Sequence, residues 1–121
     1  MVIEKIEYDF SVCQLENLSE IHLDANFFFT GKTDDEISLV CPTESVPDNV
    51  INREDGWKAF RMQGTLDFSL IGILSKITTL LAYNNISIFA ISTFNTDYVL
   101  TKANQYVKAL DLLEKAGYQI V

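Results

Sequence analysis

Two stretches of helical period set among β-prone runs constrain this chain more than any other feature. Between Ser69 and Tyr83, the apolar residues Leu70, Ile73, Leu74, Ile77, Leu80 and Leu81 recur on one face of a 3.6-residue period. Ser69 suits an N-cap and Asn84-Asn85 a stop. A second helix is predicted from about Ala103 to Ala116, with Val107, Leu110 and Leu113 inward and Gly117 as the C′ residue. Around these helices, Trp57 to Gln63 reads as a strand and Ile86 to Ser92 as a central strand. Phe94 to Asp97 reads as a turn, Tyr98 to Thr101 as a returning strand, and Tyr118 to Val121 as a last short strand. Residues 57–121 thus have the order β-α-β-β-α-β, which suits a two-layer α+β sandwich of the ferredoxin-like type.

The first half reads mainly as strands. Ile6, Tyr8, Phe10 and Val12 alternate with Glu7, Asp9 and Ser11, so one face is expected to be buried and one wet. Leu15 to Asp24 is predicted as a helix of two turns. Phe27 to Thr30 and Ile37 to Cys41 flank the turn residues 31–35 and suggest a hairpin. Phe27, Phe28 and Phe29 cannot all share one face of a strand. Pro42 ends the second strand, and Pro42 to Gly56 is predicted as a linker. The expected division is a degenerate subdomain over 1–56, with antiparallel strands and much shorter helices, and a complete unit over 57–121.

Charge follows the same division. Residues 1–56 carry 13 acidic and 3 basic residues, and residues 57–121 carry 4 acidic and 6 basic. The formal net charge of −8 disfavours nucleic acid and anionic lipid, which both require Lys and Arg. No apolar stretch approaches the roughly 20 residues that span a bilayer. The start lacks the basic and apolar regions of a signal peptide, so a cytoplasmic location is expected, with Cys13 and Cys41 as reduced thiols.

No catalytic set is visible. His22 stands alone as the one histidine, and Cys41 falls on the apolar face of its strand. No HExxH, P-loop, GxGxxG or GxSxG pattern occurs. Asp34-Asp35-Glu36 is read as a solvated turn. The expectation is a protein that is not an enzyme and holds no metal or cofactor.

The segment Gly64-Thr65-Leu66-Asp67-Phe68-Ser69-Leu70-Ile71-Gly72-Ile73-Leu74-Ser75-Lys76-Ile77 places a glycine-containing loop before a helix. The first backbone N–H groups of such a helix lack intrahelical partners and favour an anion, such as an amino-acid carboxylate. Gly72 lets a ligand or a neighbouring chain approach, or serves helix packing. Asp67 can accept from an ammonium, or act as a turn or cap. Asp97 offers a second acidic partner, or closes the hairpin.

Together with residues 86–100, Asp35 to Cys41 and Gly56-Trp57, this segment resembles the ACT domain family. It is similar to the stand-alone tandem ACT proteins related to aspartate kinase regulatory regions and to the arginine sensor CASTOR. The resemblance implies two ferredoxin-like units with antiparallel sheets and helices on one face, the first unit degenerate. It implies a regulatory homodimer that binds a free amino acid near the loop before the first helix and the neighbouring strand, and that controls an enzyme or regulator. The residues so implicated are Leu66, Asp67, Phe68, Ser69, Leu70, Ile71, Gly72, Thr93, Phe94, Asn95 and Asp97. The competing expectation is an interaction subunit that has lost the ligand and docks through sheet edges or the Phe27–Phe29 surface.

Overall fold

The computed structural model describes residues 1–63 and 72–121. Its elements are β1 (Val2–Leu15), β2 (Phe29–Lys32), β3 (Ile37–Pro42), β4 (Val50–Met62), α1 (Ile73–Tyr83), β5 (Ile88–Ser92), β6 (Asp97–Lys102), α2 (Ala103–Lys115) and β7 (Gln119–Ile120). The chain divides into an N-terminal unit, Tyr8–Trp57, and a C-terminal unit that joins Met1–Glu7 to Lys58–Val121. The sequence reading divides the chain at residue 56 and leaves the first seven residues in the first half. In the structure, β1 and β4 each contribute to both units.

In the N-terminal unit the strand order is β2-β3-β1-β4. Phe29–Lys32 pairs antiparallel with Ile37–Val40, and Phe10–Gln14 pairs antiparallel with Ser38–Pro42. The hairpin closes through Thr33 N–H donating to the Glu36 carbonyl at 2.9 Å, as its turn chemistry predicts. Cys13, Leu15, Leu39 and Cys41 form the core, with Phe28, Ile21, Ile37, Val46 and Val50 packed on it. Burial pushes the Cys13 thiol up, and pushes Cys41 up to about 12. On the opposite strand face, Phe27 packs against Tyr8, Phe10 and Phe29 with ring centroids 5.4–5.6 Å apart. Phe28 instead packs on the Cys13, Leu39 and Cys41 core.

Two expectations in this half are overturned. Residues 16–28 form turns rather than a helix, with Ile21 N–H donating to Leu18 and Ala25 N–H to His22. Three apolar side chains are too few to hold a two-turn helix against the core. Residues 50–56 are not a linker but the first half of β4. Their side chains are mostly exposed, so composition reads as loop while the neighbouring β1 supplies the ladder; Glu16 N–H donates to Asn49 at 3.2 Å just before β4 begins. A single 3₁₀ turn, Thr43–Ser45, precedes it.

In the C-terminal unit, β6 lies between β4 and β5, and β7 pairs with β1. The β5–β6 pair is antiparallel, whereas β7 runs parallel to β1 through Val2↔Gln119 and Ile3↔Ile120. One buried core takes Ile3, Phe60, Met62 and Val99 from the strands, Ile77 and Leu81 from α1, and Tyr106, Ala109 and Leu113 from α2. Ile73, Leu74 and Leu80 also pack on it, as the helical period predicts. Gly117 takes φ +102 after α2, the left-handed C′ conformation that glycine adopts at low cost.

Two further corrections concern this unit. Val107 is 70% exposed, and Tyr106 faces the core in its place. The Tyr106 hydroxyl donates to the Ala59 carbonyl at 2.6 Å, so its polar end is satisfied while its ring is buried. β5 lies at the end of the strand order and is not central. Its apolar run is explained partly by Ile88, which packs beneath the helices.

Candidate functional site

Of the residues implicated by sequence, Leu66, Asp67, Phe68, Ser69, Leu70 and Ile71 lie outside the described residues. The segment is bounded by the end of β4 on one side and by Gly72 on the other. Gly72 occupies the N-cap position of α1 with φ +80, ψ +8, and Lys76 N–H donates to its carbonyl at 2.9 Å. A Cβ at Gly72 meets nothing within 4 Å among the described residues, so it is the left-handed backbone, not crowding, that favours glycine here. Among the described residues no side chain caps this helix, and its first turn carries no acid. The first-turn N–H donors of α1 thus have no side-chain acceptor supplied by the cap.

Thr93, Phe94, Asn95 and Asp97 belong to the connection between β5 and β6. Ser92 and Asp97 are opposed at the end of the ladder. The turn closes through Thr93 N–H donating to the Thr96 carbonyl at 2.9 Å. The Ser92 hydroxyl donates to the Asp97 carboxylate at 2.6 Å. Both readings of Asp97 share this geometry: it closes the hairpin, and it is still half exposed. Phe94 at the turn tip is 80% exposed.

Thr96 is the residue that sequence reasoning missed. It is buried, and its hydroxyl donates to the Met62 carbonyl at 3.0 Å, which ties the β5–β6 turn to the C-terminal end of β4. A threonine at the last turn position is an ordinary turn residue by type, so only its burial reveals the role.

Next to this contact, on the alternate strand face, Arg61 donates to both carboxylate oxygens of Glu4 at 3.1 and 3.2 Å and to the Tyr98 hydroxyl at 2.9 Å. Its guanidinium carbon lies 5.6 Å from the centre of the Tyr98 ring. The Glu4 hydrogen bonds, and then Tyr98, hold the Arg61 pKa above its ordinary value. This fork joins β1, β4 and β6 beside the candidate site.

Among the described residues, no group of three or more His, Cys, Asp and Glu side chains can hold a metal ion. No helix of the described residues is long and apolar enough to cross a membrane.

The sequence profile of the ACT domain matches residues 52–115, and a second profile, described as an N-terminal domain, matches residues 8–49. No curated protein matches the sequence. An X-ray structure of an Agrobacterium tumefaciens protein is similar at 30% identity and a TM-score of 0.87, covering 98% of this chain and 90% of that one. Aspartate kinase from Clostridium acetobutylicum, described as an allosteric enzyme, is similar at 19% identity and a TM-score of 0.69, covering 94% of this chain and 33% of the kinase. The ligand-free regulatory subunit of aspartate kinase from Thermus thermophilus is similar at 9% identity and a TM-score of 0.68, with 97% of each chain covered. The two kinase structures share the fold with this chain, and the profile match covers more than half of its length: the chain belongs to the ACT domain family.

Proposed function

We propose that this protein is a non-catalytic regulatory module that binds a free amino acid. The observation that carries the reading is the α1 N-terminus, which has no capping side chain and no first-turn acid among the described residues, in a chain of this family. An α-carboxylate is stabilised there by unpaired N–H groups and by the helix dipole. The α-ammonium finds Asp67 or Asp97. Residues 66–72 and the 93–97 turn form the site, and the chain acts as a homodimer in the cytoplasm. Ligand binding then controls a partner enzyme or regulator through its different affinity for two states.

The N-terminal unit is a degenerate copy of the same fold. Its order β1-turns-β2-β3-3₁₀ turn-β4 places turns where the C-terminal unit has α1 and α2.

A thermal-shift screen of the twenty amino acids tests the proposal. One of them at ~100 times its dissociation constant is expected to stabilise the protein by about 2.7 kcal/mol. No shift with any amino acid at millimolar concentration contradicts the reading. Sedimentation of the free protein tests the homodimer. A second reading, an interaction subunit without ligand, is favoured by the aromatic cluster around Phe27, where Tyr8 is 40% exposed. Partner capture that is indifferent to amino acids distinguishes it.

A further inference from the structure

The two cysteines of the chain meet inside the N-terminal unit. Cys13 is 4% exposed and Cys41 2%, and both belong to the core that Leu15 and Leu39 complete. The β1–β3 register sets Cys41 opposite Ser11 and Cys13 opposite Leu39. Opposed residues, and residues two apart in one strand, share a face. The two side chains therefore lie on one face, a single diagonal step apart. Their thiols hydrogen-bond to each other.

The diagonal decides what can join them. A disulfide draws its Cβ atoms to about 3.8 Å. Diagonal neighbours stand about 7–8 Å apart, with their Cβ atoms somewhat closer. Two thiolates on one ion, each at the zinc–thiolate length of about 2.3 Å, hold their sulfurs up to about 4.6 Å apart. The longer bridge spans the diagonal without moving the strands, and the disulfide does not.

The surroundings select the ion. A closed zinc site takes four donors, and among the described residues no group of three His, Cys, Asp and Glu side chains forms. Two thiolates without a third donor suit an ion that accepts two-fold coordination, and soft sulfur ligands select copper(I). Two thiolates and a monovalent ion leave one negative charge. Arg53 supplies the opposite charge: it favours the thiolate of both cysteines, and on Cys13 it outweighs Asp55. Cys41 also borders a small surface cavity with His22, Phe28 and Leu39, which gives an ion a path to the sulfur.

We propose that Cys13 and Cys41 bind one soft monovalent metal ion of the copper(I) class, as a two-coordinate bridge between β1 and β3. Each thiol gives up its proton as its metal–sulfur bond forms, so one ion displaces two protons. The inference is independent of amino-acid binding at α1, since it uses only residues of the N-terminal unit.

Silver nitrate is the probe, because Ag⁺ is the redox-stable ion of this class. It is added to the reduced full chain without oxygen, in chloride-free and weakly buffered solution. Native mass spectrometry is expected to show one Ag⁺ per chain, with two protons released per ion. Backbone amide shifts are expected to centre on residues 11–15 and 37–43. Cys13→Ala and Cys41→Ala, each checked for folding by its amide spectrum, are each expected to lose at least about 100-fold in affinity, the upper value for an outer-shell partner alone. Where a variant does not fold, the proton count and the shifts in the unmodified chain carry the test. Zn²⁺ at the same concentration is expected to form no one-to-one complex.

The proposal is overturned if no one-to-one silver complex forms at micromolar ion, if fewer than two protons are released, or if the shifts lie elsewhere. It is equally overturned if either folded single variant binds Ag⁺ as tightly as the unmodified chain, or if Zn²⁺ binds as well. Closure of a Cys13–Cys41 disulfide by glutathione disulfide in the folded chain contradicts the spacing on which it rests. An amino-acid screen that fails leaves silver binding in place, and loss of silver binding leaves the amino-acid screen unaffected.

Discussion

Asp97 is a turn residue by its contacts and a ligand-binding residue in the function proposed above. Its carboxylate accepts from Ser92 at 2.6 Å and stays half exposed at the end of the β5–β6 ladder. An exposed hydrogen bond of this kind contributes about 0.5–1 kcal/mol. Asp97→Ala is therefore expected to weaken amino-acid binding while the melting temperature of the free protein stays nearly unchanged. A large drop in the free protein's melting temperature assigns Asp97 to turn structure instead. Tyr106 is a sharper structural residue. Its hydroxyl donates to the buried Ala59 carbonyl, and Tyr106→Phe leaves that acceptor without its donor, at a cost of about 1–2 kcal/mol in urea unfolding. Burial, and secondarily the Glu7 charge, push the Tyr106 phenol from 10.0 up to about 12. The unfolded chain therefore ionises first. The stabilisation is full below pH 10 and is lost as pH rises towards 12. Tyr106→Phe is expected to flatten the stability–pH curve in that window, measured by denaturant titration at each pH.

The elements were legible where periodicity is strong. Ile73, Ile77 and Leu81 mark α1 by their spacing, and Ile37, Leu39 and Cys41 mark the inner face of β3 by alternation. Failure came where a polar atom or a neighbouring strand decides the outcome. In α2, an apolar scale selects Val107 with Leu110 and Leu113, whereas the core takes Tyr106, Ala109 and Leu113 because the tyrosine hydroxyl finds a carbonyl. Val107→Lys is accordingly expected to change stability by less than about 0.5 kcal/mol, and Leu113→Ala to cost about 2–5 kcal/mol, both by denaturant unfolding. The first half of β4 was illegible for a different reason. Residues 51–56 are exposed, and nothing in an exposed acidic segment announces a partner strand. The β5–β6 turn was legible in the sequence, but the start of α1 was not: Ser69 reads as its N-cap, whereas Gly72 holds that position. The Thr96 bond to Met62 was not legible either, since two residues 34 apart in sequence meet only in the folded unit.

For the molecule as a whole, the charge asymmetry marks the change of composition but not the border of the units. Met1–Glu7 carries Ile3 into the core beneath α1 and α2, so the C-terminal unit draws on both ends of the sequence. A fragment of residues 58–121 lacks β1 and its pairing with β7. It is expected to show lower helix content by circular dichroism and few dispersed amide signals, whereas the full chain unfolds cooperatively. A fragment as well folded as the full chain contradicts this assignment.

The parallel ladder between Val2–Ile3 and Gln119–Ile120 has a consequence for synthesis. On a ribosome, roughly 6–20 s separate the two partners at about 5–20 residues per second. The strands of Tyr8–Trp57 have all emerged long before then and can pair with one another. Val2 and Ile3 have β4 as an earlier partner, through Gln63 N–H donating to the Val2 carbonyl at 2.9 Å, but their other edge must wait for Gln119–Ile120. The β1 edge that faces β7 is therefore the last ladder to close, and until then it is an unpaired strand edge open to wrong partners.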